Sequence, residues 1–100
     1  MAYRFSAPLW RWKSDSGWHF VTLPVDVADD IEQKSEGMRG GFGSVRVHVT
    51  VGATSWSTSL FPHAPEESYL LPMKKQVRNA EELEDGDLVD ISLEIVLPRS

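Results

Sequence analysis

The side chains that could act on a substrate are easy to name and hard to assemble. Ser55, Ser57, Ser59 and Ser68 stand alongside His19, His48 and His63 and many carboxylates. A serine nucleophile needs a base within hydrogen-bond reach and a tight turn that exposes it. No Gly-x-Ser-x-Gly elbow occurs, and no serine sits on a strand-to-helix turn. The three histidines have no metal-ligand spacing. Glu81, Glu82, Glu84, Asp85 and Asp87 crowd one turn, but they lack the alternating oxygen ligands and distal bidentate Glu of a calcium loop. They read as a solvated acidic turn. Gly40-Gly41-Phe42-Gly43 lacks the following helix that would present amides to a phosphate, so it reads as a linker. The sequence therefore offers no catalytic residue, no metal site and no cofactor fingerprint.

What remains are binding residues. Trp10, Trp12, Trp18 and Trp56, with Phe20 and Phe61, are many large rings for 100 residues. Trp10 and Trp12 share a strand face with Arg4, and Arg11 lies between them. That face is either covered by the glycine-rich stretch or a helix, or it is an aromatic platform for a partner or small ligand. Arg46 and His48 alternate with Thr50 on the non-core face of one strand, a polar contact surface if it borders a groove. Lys74, Lys75 and Arg78 form the one basic cluster. They either balance the acidic turn through helix-spaced pairs with Glu81 and Glu82, or meet an anion. The candidate ligand-binding residues are thus Trp10, Trp12, Arg46, His48, Trp56, Lys75 and Arg78.

The elements that must position these residues follow from periodicity. Tyr3 to Lys13 alternates with Phe5, Ala7 and Leu9 on one face, and Pro8 suggests an edge position or a bulge. Ser14 to Gly17 is a turn, and Trp18 to Leu23 is a second strand. Val25 to Lys34 is a short helix with an apolar stripe at Val27, Ala28 and Ile31. Val45, Val47, Val49 and Val51 mark the inward face of a strand whose hairpin partner runs from Thr54 to Phe61. Ser68 to Leu71 is a short strand and Met73 to Ala80 a short helix. Gly86-Asp87 is a turn, in which Gly allows positive φ and the Asp carboxylate accepts backbone amides. Leu88 to Val96 is the last strand, and Pro98 stops it. Leu23-Pro24 and Leu71-Pro72, half a chain apart, each close a strand and open a helix. The order β-β-α-β-β-β-α-β divides into two related halves near Gly52. Closing such a chain into a barrel removes its exposed edges.

The segment from Leu71-Pro72 through Arg78 to Gly86-Asp87, Val89 and Ile91 resembles the signature of the AbrB/MazE swapped-hairpin proteins. The whole chain resembles an uncharacterised bacterial family, a domain of unknown function of the double-split β-barrel type. The residues carrying that likeness run from Phe5, Ala7 and Leu9 through Trp18, Pro24, Trp56 and Pro62 to Val89. The resemblance implies an all-β, pseudo-symmetric double-split barrel capped by two short helices, as one domain over residues 1–100. A swapped-hairpin protomer contributes one such half to its dimer, so two halves in one chain imply a monomer.

Composition sets the remaining bounds. The charge is −5 and there are no cysteines. A negative chain with one small basic cluster argues against nucleic acid as the partner, although AbrB kinship makes DNA binding or an antitoxin-like role the alternative. Absence of cysteine and of an apolar leader fits a cytoplasmic protein, and no apolar run could span a bilayer. The reading is a non-enzymatic binding barrel whose partner is an unknown protein or small ligand, with an enzyme of unnamed reaction at a barrel end as the third reading. Arg78 is expected to be structural, holding the last carbonyls of its helix and the carboxylates of the next turn.

Overall fold

Valine-rich alternation and frequent turns give six strands, and the computed structural model closes them into one antiparallel barrel. It describes residues 2–13, 17–36, 43–64 and 67–96. The expected turn at 14–16, the glycines at 37–41 and the stop at Pro98 lie outside these residues. The elements are β1 (Ala2–Arg11), β2 (His19–Thr22), α1 (Val25–Lys34), β3 (Val45–Val51), β4 (Thr54–His63), β5 (Ser68–Pro72), α2 (Lys75–Ala80) and β6 (Leu88–Ile95). Around the barrel they run β1-β2-β5-β4-β3-β6. The element order is the one expected from the sequence, and this pairing scheme is unchanged when the two halves are exchanged.

The split is visible in the register. β1 pairs with β6 from Ala2 to Pro8 and then with β2 from Leu9 to Arg11. β4 pairs with β3 from Thr54 to Leu60 and then with β5 from Phe61 to His63. Each long strand thus passes from one sheet to the other. Pro8 occupies no edge, because a closed barrel has none. It is the last residue of β1 paired with β6, at the switch between sheets, where a residue that cannot donate to a ladder is tolerated.

The half-chain repeat is offset from the Leu-Pro alignment. Leu23 N donates to Tyr69 O at 3.0 Å, and Met73 N donates to His19 O at 2.9 Å. These bonds exchange when Leu23 is matched with Met73 and Val21 with Leu71. Pro24 then matches Lys74, and these two residues precede α1 and α2 with similar backbone angles. α2 consequently starts at Lys75 and not directly after Pro72, which is the last residue of β5.

The core is the expected one. Leu9, Val21, Val47, Val49, Leu60 and Leu71 are fully buried inside the barrel, with Ala28 and Ile31 from α1 and Val77 from α2 packed against them. Burying each large side chain contributes roughly 1.5–3 kcal/mol. Tyr3 fastens α1 to β1: its hydroxyl donates to Asp30 Oδ2 at 2.6 Å, and Lys34 Nζ reaches the same oxygen at 3.3 Å. α2 ends at Ala80, and two residues on Glu82 takes a φ of 53°. Leu83 N donates to Arg78 O at 2.8 Å and Glu82 N to Asn79 O at 3.3 Å, the two bonds that close a left-handed helix cap. No helix among the described residues is long and apolar enough to cross a membrane.

Candidate functional site

Strand alternation that turns Leu9 and Val21 inward must turn their neighbours outward. Trp10 and Phe20 are opposite each other in the β1–β2 register, so the outward face of this hairpin is aromatic. Trp10 and Phe20 have ring centroids 5.4 Å apart, and Trp10 and Trp12 6.0 Å apart. Trp12 meets Phe20 edge-on at 6.4 Å. Trp18 lies nearly parallel to Phe20, at 7° with centroids 6.3 Å apart. Trp10 is fixed by its Nε1, which donates to Thr22 Oγ1 at 2.9 Å. Leu70 of β5 and His63 of β4 adjoin the rings, and His63 meets Trp12 edge-on. The outer rings are open to solvent: Trp12 is 41% and Trp18 65% exposed.

Three grooves run along this face, and the tryptophans form their shared walls. The first, about 630 Å³, is lined by Pro8, Trp10, Trp12, Pro24, Val25 and His63 among others. The second, about 370 Å³, lies between Trp12, Trp18, Phe20, His63 and Leu70. The third, about 400 Å³, lies on the α2 side of Trp18, against Pro72, Met73, Lys74, Lys75 and Arg78. Trp12 borders the first two and Trp18 the last two.

Charge is unevenly placed around these grooves. Asp85 pairs with Arg11 Nε at 3.4 Å and His19 Nε2 at 2.8 Å, while His19 Nδ1 lies 3.0 Å from the carbonyl of Gly17. Lys74, Lys75 and Arg78 make no ion pair among the described residues. The helix-spaced pairing with Glu81 and Glu82 is not formed. α2 ends at Ala80, and Glu81 instead accepts a hydrogen bond from Thr54 Oγ1 at 2.6 Å.

The sequence candidates therefore fall in four places. Trp10 and Trp12 lie on the aromatic face. Lys75 and Arg78 lie at its α2 end. Arg46 and His48 are exposed on β3, which stands three strands from β2 in either direction around the barrel, and His48 Nδ1 lies 3.3 Å from Ser57 Oγ. Trp56 points into the core at 8% exposure and does not reach the aromatic face. Arg78 also acts differently from the expectation. Its Nε donates to the carbonyl of Met73 at 3.0 Å, at the start of α2, because the carbonyls of Arg78 and Asn79 are already taken by the cap amides. Gly86-Asp87 does form the expected turn: Gly86 has a φ of 89° and Asp87 Oδ2 accepts from Glu84 N at 2.8 Å.

Trp18, Phe20 and Lys74 were absent from the candidate set. The signal for the first two was available, since they alternate with the inward Val21. Only the position of α2 beside Trp18 brings in Lys74.

The model of a domain-of-unknown-function family, DUF1905, matches residues 5–93. The chain belongs to this family. The match spans every element except the ends of β1 and β6, and it includes all the rings of the aromatic face. Membership of DUF1905 fixes the kind of domain and assigns no activity. No curated protein matches the chain.

Proposed function

We propose that this DUF1905 domain is a non-enzymatic binding module, and that the outer aromatic face of the β1–β2 hairpin is its binding surface. The observation that carries the reading is the contiguous run Trp12, Trp10, Phe20 and Trp18 with its outer rings exposed. Trp12 and Trp18 flank the paired strands and are joined by one backbone bond, Trp12 N to Trp18 O at 2.8 Å, so covering them costs little further ordering, and contiguous apolar patches mark interaction sites. Binding on this reading engages a partner protein or small ligand and needs no nucleophile or general base.

The chain closes its own barrel, which supports a monomer as the folded unit. Light scattering tests this, and an obligate dimer that unfolds on dilution would refute it. The absence of cysteine supports a cytoplasmic location. The test of the function is a ligand screen read by tryptophan fluorescence on the wild-type chain, on Trp12→Ala and on Trp18→Ala. Hits that lose at least tenfold in affinity on Trp12→Ala, with the melting temperature retained, bear the reading out. Hits indifferent to Trp12 and Trp18 would refute it.

A further inference from the structure

The three grooves differ in charge in a way that selects a ligand. The groove between Trp18 and α2 is lined by Lys74, Lys75 and Arg78 and by no carboxylate among the described residues. That is unusual placement in a chain of net charge −5. The other two grooves of the aromatic face are lined by no Lys or Arg; elsewhere on the barrel the groove beside α1 carries Asp29, Glu32 and Glu67, and the one beside Gly52 carries Arg4 together with Asp90. Asp85, near the same end, is held by both Arg11 and His19 and does not line the groove. The Met73 carbonyl fixes the Nε of Arg78, which sets the guanidinium at the groove wall with its Nη donors available for an anion.

We propose that this groove binds a nucleotide, with the base stacked on Trp18 and the phosphates held by Lys74, Lys75 and Arg78. The proposal rests on the aromatic face being the binding surface. The indole of Trp18 is 65% exposed and already stacked against Phe20, so a base would extend an existing stack. Base–indole stacking tolerates any base, because each has a π face. Three cations with no described ion pair match a multiply charged phosphate chain better than a single carboxylate. A volume of about 400 Å³ falls in the range of small-molecule sites. The net negative charge favours a mononucleotide over a nucleic-acid polymer, which needs an extended basic track.

The test is calorimetry with the full chain and four probes: ATP, adenosine, tripolyphosphate and a single-stranded oligonucleotide. ATP should bind saturably, and at least tenfold tighter than either adenosine or tripolyphosphate. Trp18→Ala should lower ATP affinity to the tripolyphosphate level. Lys74→Ala/Lys75→Ala, which leaves Arg78 in place, should lower it at least tenfold towards the adenosine level and flatten its salt dependence. Both variants change exposed side chains, and unchanged melting curves establish that they fold. Tripolyphosphate binding equal to ATP would reduce the site to a bare cation cluster and overturn the proposal. An oligonucleotide binding more than tenfold tighter than ATP would overturn the mononucleotide assignment. If ATP fails at millimolar concentration while neutral apolar ligands still bind in a Trp12-dependent way, the nucleotide inference falls and the binding-face reading stands. If neither binds, both fall.

Discussion

Gly52→Ala should unsettle the end of α2 through the β3–β4 hairpin that touches it. Gly52 turns the β3–β4 hairpin with a φ of 57°, and a Cβ built there would lie 1.9 Å from Glu81 Oε1 and 2.9 Å from its Cδ. The same carboxylate accepts the Thr54 hydroxyl at 2.6 Å and so ties the end of α2 to the hairpin. The substitution has two consequences. Holding a residue with a Cβ in the left-handed region costs about 1–2 kcal/mol. Displacing the carboxylate removes a charge-assisted hydrogen bond of roughly 1.5 kcal/mol, the lower end of its range because the site is only part-buried. The sum is about 3 kcal/mol, which for a domain of this size is a drop of about 10–20 °C in melting temperature. The assay is a double-mutant cycle by thermal or urea denaturation, with Thr54→Val as the second substitution. In the Thr54→Val background the tie is already absent, so Gly52→Ala should cost only the conformational part, about 1–2 kcal/mol. Equal costs in both backgrounds would show that Glu81 does not couple the hairpin to α2.

Arg78→Ala should lower stability by roughly 1 kcal/mol through loss of the Nε bond to the Met73 carbonyl; a urea curve that superimposes on wild type would contradict this. Glu82→Gly should raise stability by about 0.5 kcal/mol, since glycine adopts the φ of 53° at the α2 cap without a Cβ clash, and a lower melting temperature would refute it. Tyr3→Phe should flatten the pH dependence of stability at both ends. Burial, then the hydrogen bond to Asp30, pushes the Tyr3 hydroxyl up to about 12, so its contribution is complete below the usual tyrosine value near 10 and is lost as pH rises towards 12. The Tyr3 hydroxyl and then Lys34 hold Asp30 below its ordinary range, so that contribution is present above the usual carboxylate value and is lost as pH falls through the lowered one. Denaturant midpoints measured across pH for wild type and Tyr3→Phe check both limbs, and parallel profiles would refute the assignment.

Period-two alternation carried most of the fold. It identified the inward faces of β1 and β3 residue by residue, because a strand with one face in a core has no other way to arrange Val45, Val47, Val49 and Val51. The two-half organisation was also legible, though at an offset the Leu-Pro pairs misplace. Pro72 ends β5 and Lys74, not a proline, precedes α2. Backbone pairing, which fixes the true match of Leu23 with Met73, leaves no trace in residue type. The candidate site was half legible. Trp10 and Trp12 announced an outward aromatic face, whereas Trp56 looked equivalent to them and is core. The convergence of Trp18 with Lys74, Lys75 and Arg78 depends on β2 pairing with β5, a contact between residues half a chain apart. Local pattern does not encode such a contact.

The central claim is that the outer aromatic face binds, and the indole N–H signals test it most directly. The chain has 4 tryptophans, and their side chains divide between the face and the core. In a proton–nitrogen correlation spectrum of the labelled chain, titrated with a fragment library and with nucleotides, bound ligands should shift the Trp12 and Trp18 indole signals. Trp10 should respond more weakly, since its N–H is held by Thr22, and Trp56 should stay in place. Ligands that shift Trp56 or the β3 surface around Arg46 and His48, while leaving Trp12 and Trp18 unmoved, would contradict the account.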